Sequence, residues 1–98
     1  MDSYFLLNGI TFVWNNDKAH INCQKHDGIT FQQAAEAFFD PFLVVIDASR
    51  NDEAREAIIG FDRHGKLLYV VFVEREGDTY RIISARRATR KEREYYEA

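Results

Sequence analysis

The chain has 98 residues, of which 46% are apolar and 30% charged, with 13 Lys/Arg against 16 Asp/Glu and a net charge of −3. That length and composition predict one domain with one modest core, and exclude a disordered chain. The single cysteine, Cys23, excludes an intrachain disulfide and any multi-cysteine metal site. No apolar run nears the ~18 residues needed to span a membrane, and Met1-Asp2-Ser3-Tyr4 lacks the basic start of a secretory signal. A cytoplasmic protein without membrane contact is expected. The acidic total argues against a general nucleic-acid coat protein, but the charge is uneven. Residues 1–53 hold three basic and eight acidic side chains, and residues 54–98 hold ten and eight. A local anion site toward the C-terminus is compatible with that distribution.

Tyr4 to Leu7 is a short apolar patch followed by the turn signal Asn8-Gly9, and Ile10 to Trp14 reads as a strand. The two could pair as a small hairpin, although the first is too short to demand it. Asn15-Asn16-Asp17 offers capping oxygens and a first-turn acid, so a helix is predicted from there to about His26, stopping at Asp27-Gly28. Ala19, Cys23 and Ile21 are its candidates for the core. Lys18, Asn22, Lys25 and His26 fall on a second stripe, which reads first as a solvated face. Thr30-Phe31-Gln32-Gln33 has capping-box spacing. Phe31, Ala34, Ala35 and Phe38 then recur at helical intervals up to Asp40-Pro41.

Phe42 to Asp47 is a continuous apolar run and predicts a buried strand. Ala48 to Ala54 reads as a loop. Arg55–Phe61 and Leu67–Val73 are the next strands, separated by a turn at Asp62-Arg63-His64-Gly65-Lys66. After Arg75-Glu76-Gly77-Asp78 the last strand runs from Thr79 to Arg87. Short turns between these strands predict an antiparallel meander. Alternation along the last strand puts Tyr80, Ile82, Ser84 and Arg86 on one face and Arg81, Ile83 and Arg87 on the other. Thr89 and Glu92 have capping-box spacing for a final short helix. Ser84 to Arg93 carries five basic residues and one acid, a local +4 in a negative chain. The expected fold is α+β: a meander of about four strands, two N-terminal helices packed on it and a short C-terminal helix, in one domain over 1–98.

Several stretches together resemble one family. They are Phe12-Val13-Trp14 with Lys18, then Asn22 and Lys25-His26-Asp27-Gly28-Ile29-Thr30-Phe31, and next Glu36-Ala37-Phe38-Phe39-Asp40. Glu53-Ala54-Arg55 leading to Ile59-Gly60 follows, then Leu67-Leu68-Tyr69-Val70-Val71. Last is Arg81 to Thr89, with Glu92-Arg93 and Tyr96. In order and spacing the chain is similar to the BrnT toxins of bacterial type II toxin–antitoxin systems. The resemblance implies a fold related to the RelE ribonuclease toxins, RNA cleavage without a metal or other cofactor, and inhibition of translation and growth. It also implies neutralisation by a BrnA-like ribbon-helix-helix antitoxin, with DNA reached only through that partner. Two features depart from the family pattern: an extra residue after His26, where the family runs Lys-His-Gly, and the acidic total. They support a second reading, a catalytically weak or inactive module that still binds an antitoxin and co-regulates its operon.

Such cleavage needs a group to take the 2′-hydroxyl proton, cations for the phosphorane and an acid for the leaving 5′-oxygen. Arginine suits the second task, because its planar fork holds phosphate oxygens bidentately and stays charged. Arg86 and Arg87 are the first candidates and Arg55 the next. His26 is the only histidine in a matched stretch, and imidazole is the side chain suited to proton transfer near neutrality. Lys18, Lys25, Arg81 and Arg90 are candidate phosphate contacts, with Glu53 and Tyr96 in reserve. No metal site is expected, since three histidines and one cysteine lie scattered without ligand spacing. Plainer roles compete. Arg86 and Arg87 would pair with Glu92 or Glu94, His26 would end a helix, Cys23 would be a small buried hydrophobe, and Trp14 a core anchor.

Overall fold

The computed structural model describes all 98 residues, Met1–Ala98. The strands are β1 (Asp2–Leu7), β2 (Ile10–Asn15), β3 (Val44–Asp47), β4 (Glu56–Phe61), β5 (Leu67–Arg75) and β6 (Thr79–Arg87). The helices are α1 (Asn16–Lys25), α2 (Phe31–Ala37) and α3 (Arg90–Glu97). All six strands form one sheet in the order β1-β2-β6-β5-β4-β3.

From β3 to β6 the sheet is the expected antiparallel meander. The N-terminal hairpin is present as well, closed by Asn8 and Gly9 at φ of 50° and 82°, the left-handed pair that a tight hairpin turn needs. It brings the strand count to six, and β2 runs parallel to β6 through Thr11–Thr79, Phe12–Tyr80 and Val13–Arg81. The sheet is therefore mixed rather than antiparallel. Burial accounts for the joint, because Phe12, Val13 and Trp14 are all enclosed once β2 lies against β6.

Each helix starts where its cap predicts. The Asn15 side chain accepts from the Lys18 N–H at 3.1 Å, and α1 ends at His26, followed by Asp27 and Gly28 at φ of 54° and 75°. Thr30 with Gln33 and Thr89 with Glu92 form complete capping boxes. Helix α2 lies on one face of the sheet, over a core that includes Phe12, Trp14, Phe31, Ile58, Leu68, Val70, Phe72, Ile82 and Ala85. Aromatic edges interlock there, Trp14 with Phe31 at 5.8 Å and Phe12 with Phe38 at 5.1 Å between centroids. Full burial of each such ring contributes about 1.5–3 kcal/mol. Gly60 is needed for this contact: a Cβ there would stand 2.7 Å from the Ala37 carbonyl oxygen.

Three expectations change. Phe42–Asp47 does not form a buried strand. Its regular part is β3, the sheet's edge, and Phe42 and Val45 stay 75% and 51% exposed. Ile21 is exposed, while Asn22, expected on a solvated stripe, is buried. Finally, β6 carries a bulge. Val71 pairs with Ser84 but Phe72 pairs with Ile82, which leaves Ile83 as the extra residue. The alternation changes phase there. Tyr80 and Ile82 share the core face with Ala85, and Arg81 shares the other face with Ser84 and Arg86, contrary to a strict period of two.

Candidate active site

Beyond Val13 the pairing of β2 with β6 stops, and the edge of β6 is left without a strand partner. Helix α1 takes that place. The buried Asn22 amide donates to the Ala85 carbonyl at 2.7 Å and accepts from the Ala85 N–H at 3.0 Å, with a further 3.3 Å bond to the Ile29 carbonyl. A side-chain amide carries the same donor and acceptor as a peptide, so Asn22 completes the sheet where β2 ends. Cys23 supports the same turn, its thiol donating to the Ile29 carbonyl at 3.2 Å. This clamp sets the basic stripe of α1 beside the bulge.

Two hollows meet at Ser84. One, about 370 Å3, is lined by Ala48, Ser49, Arg50, Arg55, Tyr69, Val71, Ser84 and Arg86. The other, about 180 Å3, is lined by Lys18, Ile21, Asn22, Lys25, His26, Ile83 and Ser84. Together they form a cleft with five cationic side chains and one imidazole in a chain of net charge −3.

Arg86 is the most fixed of these groups. Its two terminal nitrogens donate to the two Glu92 oxygens at 2.8 Å each, Nη1 also reaches the Arg87 carbonyl at 3.2 Å, and the guanidinium stacks 4.3 Å from the Tyr69 ring centre. The Glu92 hydrogen bond raises the Arg86 pKa against the opposing effect of burial. Burial pushes Glu92 up, but bonds from Arg86 and from Thr89 outweigh it and hold the carboxyl below its usual range. The Arg86 Nε–H and one Nη2 proton have no partner within the chain. Arg55 bonds Glu53 through Nε at 3.2 Å, and its terminal nitrogens are uncommitted.

The other candidates separate from the cleft. Arg87 lies opposite Leu68, on the other sheet face from Arg86, and is exposed. Arg81 pairs with Asp2 at 2.6 Å in a different hollow, beside Tyr4 and Val13. Arg90 is the exposed first residue of α3. Glu53 sits at the rim as the partner of Arg55. Tyr96 donates to Asp40 at 2.7 Å and sets its ring edge-on to Phe61, with centroids 5.2 Å apart. Burial and that carboxylate push its hydroxyl up to about 12, so its evident task is to anchor α3. Trp14 is a core residue, 4% exposed.

Several cleft residues lay outside the candidate set, among them Asn22, Ser84, Tyr69 and Arg50. Asn22 was visible in a polar stripe of α1 and in one of the family-like stretches, and Ser84 as one position of the last strand, inside another such stretch. Tyr69 stood in a strand pattern within a family-like stretch and carried no chemical signal of its own. Arg50 stands in a stretch that read as loop. Its signal was Asn51-Asp52, a pair suited to left-handed turns; both have positive φ, and Arg50 and Glu53 bond across them as a narrow ribbon.

These features define a small α+β protein with a cationic cleft between a helix and a bulged sheet edge. Residues 14–92 match the family described as ribonuclease toxin, BrnT, of type II toxin–antitoxin system, and the chain belongs to that family. No curated protein sequence matches it. No helix is long and apolar enough to cross a membrane.

Proposed function

We propose that the chain is a metal-independent endoribonuclease that works in the Ser84-centred cleft, inhibits growth by cleaving RNA, and is neutralised by a BrnA-like antitoxin. The observation that carries this reading is the gathering of Arg50, Arg55 and Arg86 in one hollow and of Lys18, Lys25 and His26 in a second that shares Ser84 with it. Their walls bring cations rather than carboxylates to a phosphodiester. The ribose 2′-oxygen attacks the adjacent phosphorus as the bond to the 5′-oxygen breaks, giving a 2′,3′-cyclic phosphate and a 5′-hydroxyl. Arg86, through Nε and its unpaired Nη2 proton, and Arg55 meet the charge of the phosphorane. Lys18, Lys25 and Arg50 hold the flanking phosphates. His26 takes part in proton transfer, and Tyr69 keeps the Arg86 plane fixed.

A second reading has its own support. Arg86 is already matched by Glu92, as in a cleft that binds but does not cleave. One assay separates the two. The purified chain is incubated with a short RNA and with the same strand carrying 2′-deoxyribose throughout. Cyclic-phosphate ends from the RNA and an intact deoxy strand are expected. Cleavage of both strands would remove the 2′-hydroxyl mechanism, and an intact RNA would leave the binding module.

A further inference from the structure

The strands that form the cleft present a second hollow on their opposite face. It is a groove of about 410 Å3 whose walls are apolar, among them Phe38, Phe39, Val45, Phe72 and Tyr80, with Glu56 and Glu74 at the rim. Phe38 and Phe39 follow directly on α2, which ends at Ala37. Beside the groove lies β3, which has a strand partner on one side only; Val45 within it and Phe42 just before it are exposed. An apolar surface of this kind, next to a free strand edge, marks a place where another chain binds.

The rim decides what that chain brings. Glu56 and Glu74 stand at the mouth of the groove and give it a negative potential; burial raises the Tyr80 hydroxyl pKa, and Glu74, Asp78 and Glu56 add to the rise. RNA phosphates are repelled there. A second copy seated by the same face would set Glu56 and Glu74 against their own equivalents. An apolar segment flanked by Lys or Arg fits both walls and rim.

The groove also leads to the cleft. A shallow depression containing Glu56, Phe72 and Glu74 from the groove also contains Ser49 and Arg55 from the cleft. A partner anchored in the groove can reach around the end of β4 to the arginines without entering the core.

We infer that this groove receives the antitoxin, by a segment whose apolar side chains lie against Phe39, Val45 and Tyr80 and whose basic residues meet Glu56 and Glu74. The inference rests on the reading that an antitoxin neutralises this chain. It adds where the partner anchors and with what chemistry.

The test uses the full chain and the antitoxin encoded in the same operon, with affinity measured by titration calorimetry and contacts by hydrogen exchange. Val45→Asp and Glu74→Lys are each expected to weaken the complex by about tenfold or more, while the free variants keep wild-type melting and RNA cleavage. Should Val45→Asp fail to fold, Glu74→Lys, a fully surface charge reversal, still decides. Exchange protection is expected on the 38–46 segment and around Tyr80. Unchanged affinity in both variants, or protection confined to Arg55 and Arg86, would overturn the inference. So would RNA crosslinks in the groove, a dimer of the free chain that Val45→Asp dissolves, or no complex with that antitoxin. A chain that cleaves no RNA yet binds the antitoxin here overturns the ribonuclease reading and leaves the groove assignment standing.

Discussion

The cleft and the groove are two faces of the same strands, yet they are held in opposite ways. The cleft is a polar construction. Asn22 fastens α1 to Ala85, and Glu92 with Tyr69 fixes Arg86, all through oriented hydrogen bonds and one stacked ring. The groove is an apolar surface beside the end of α2, and its shape depends on how closely α2 rests on Gly60. Net charge therefore says little about this molecule. A surplus of acid and a concentrated set of cations coexist because the sheet keeps them apart.

The comparison can be broken first at the cleft's chemistry. Arg86→Lys keeps a cation beside Glu92 but loses the fork, and RNA cleavage is expected to fall by about 100-fold or more with melting almost unchanged. A loss of only a few-fold in a gel cleavage assay would exclude Arg86 from phosphorane stabilisation. Next comes the cleft's scaffold. Asn22→Ala leaves the Ala85 N–H and C=O without partners in a buried place, and a loss of about 2–4 kcal/mol is expected in denaturant unfolding. A value under ~1 kcal/mol would mean that α1 does not depend on this amide.

On the groove side, Gly60→Ala drives a methyl into the Ala37 carbonyl and displaces the α2 end that carries Phe38 and Phe39. A cost of about 1–3 kcal/mol is expected, with looser antitoxin binding and RNA cleavage retained. Acid acts on both faces at once. Burial pushes Asp40 up, but bonds from the Phe61 N–H, the Tyr96 hydroxyl and the Phe42 N–H keep it below its usual range, as Arg86 does for Glu92. Carboxyls with folded pKa values below their unfolded ones contribute stability above the unfolded values, and that contribution is lost as pH falls through the folded ones. Melting temperature should hold from neutrality to about pH 5 and fall below about pH 4. Asp40→Asn should cost about 1–2 kcal/mol at pH 7 and flatten the fall; an identical profile would remove Asp40 from the account. The smallest effect belongs to Arg87→Ala, expected within ~0.5 kcal/mol of wild type and within about twofold in cleavage, since Arg87 leaves from the wrong face.

Local chemistry in the sequence was enough for the helices and the meander. The Thr30/Gln33 and Thr89/Glu92 caps and the Asp27-Gly28 stop each act within a few residues, so their spacing is visible without a fold. What stayed hidden depends on pairs far apart in sequence. Asn22 is an ordinary polar helix residue until Ala85 arrives beside it. Arg81 and Arg86 share a face only because Ile83 bulges, which a period of two cannot express. Phe42–Asp47 is as apolar as a core strand, and only the strand order shows that it lies at the edge. In the cleft, Lys18, Lys25, His26, Arg55 and Arg86 were all nominated from sequence and resemblance. Tyr69, Ser84 and Arg50 were not, because each acquires a role only from its neighbours.

The parallel joint between β2 and β6 has a consequence for biosynthesis. The N-terminal hairpin is made before the strand it must join, which is completed only at Arg87. Contacts this distant in sequence form late, and Asn22 and Arg86 wait on the same strand. A nascent copy therefore has no assembled cleft until β6 has been made. In pulse-labelled refolding, amides of β1 and β2 should gain protection no earlier than those of β6.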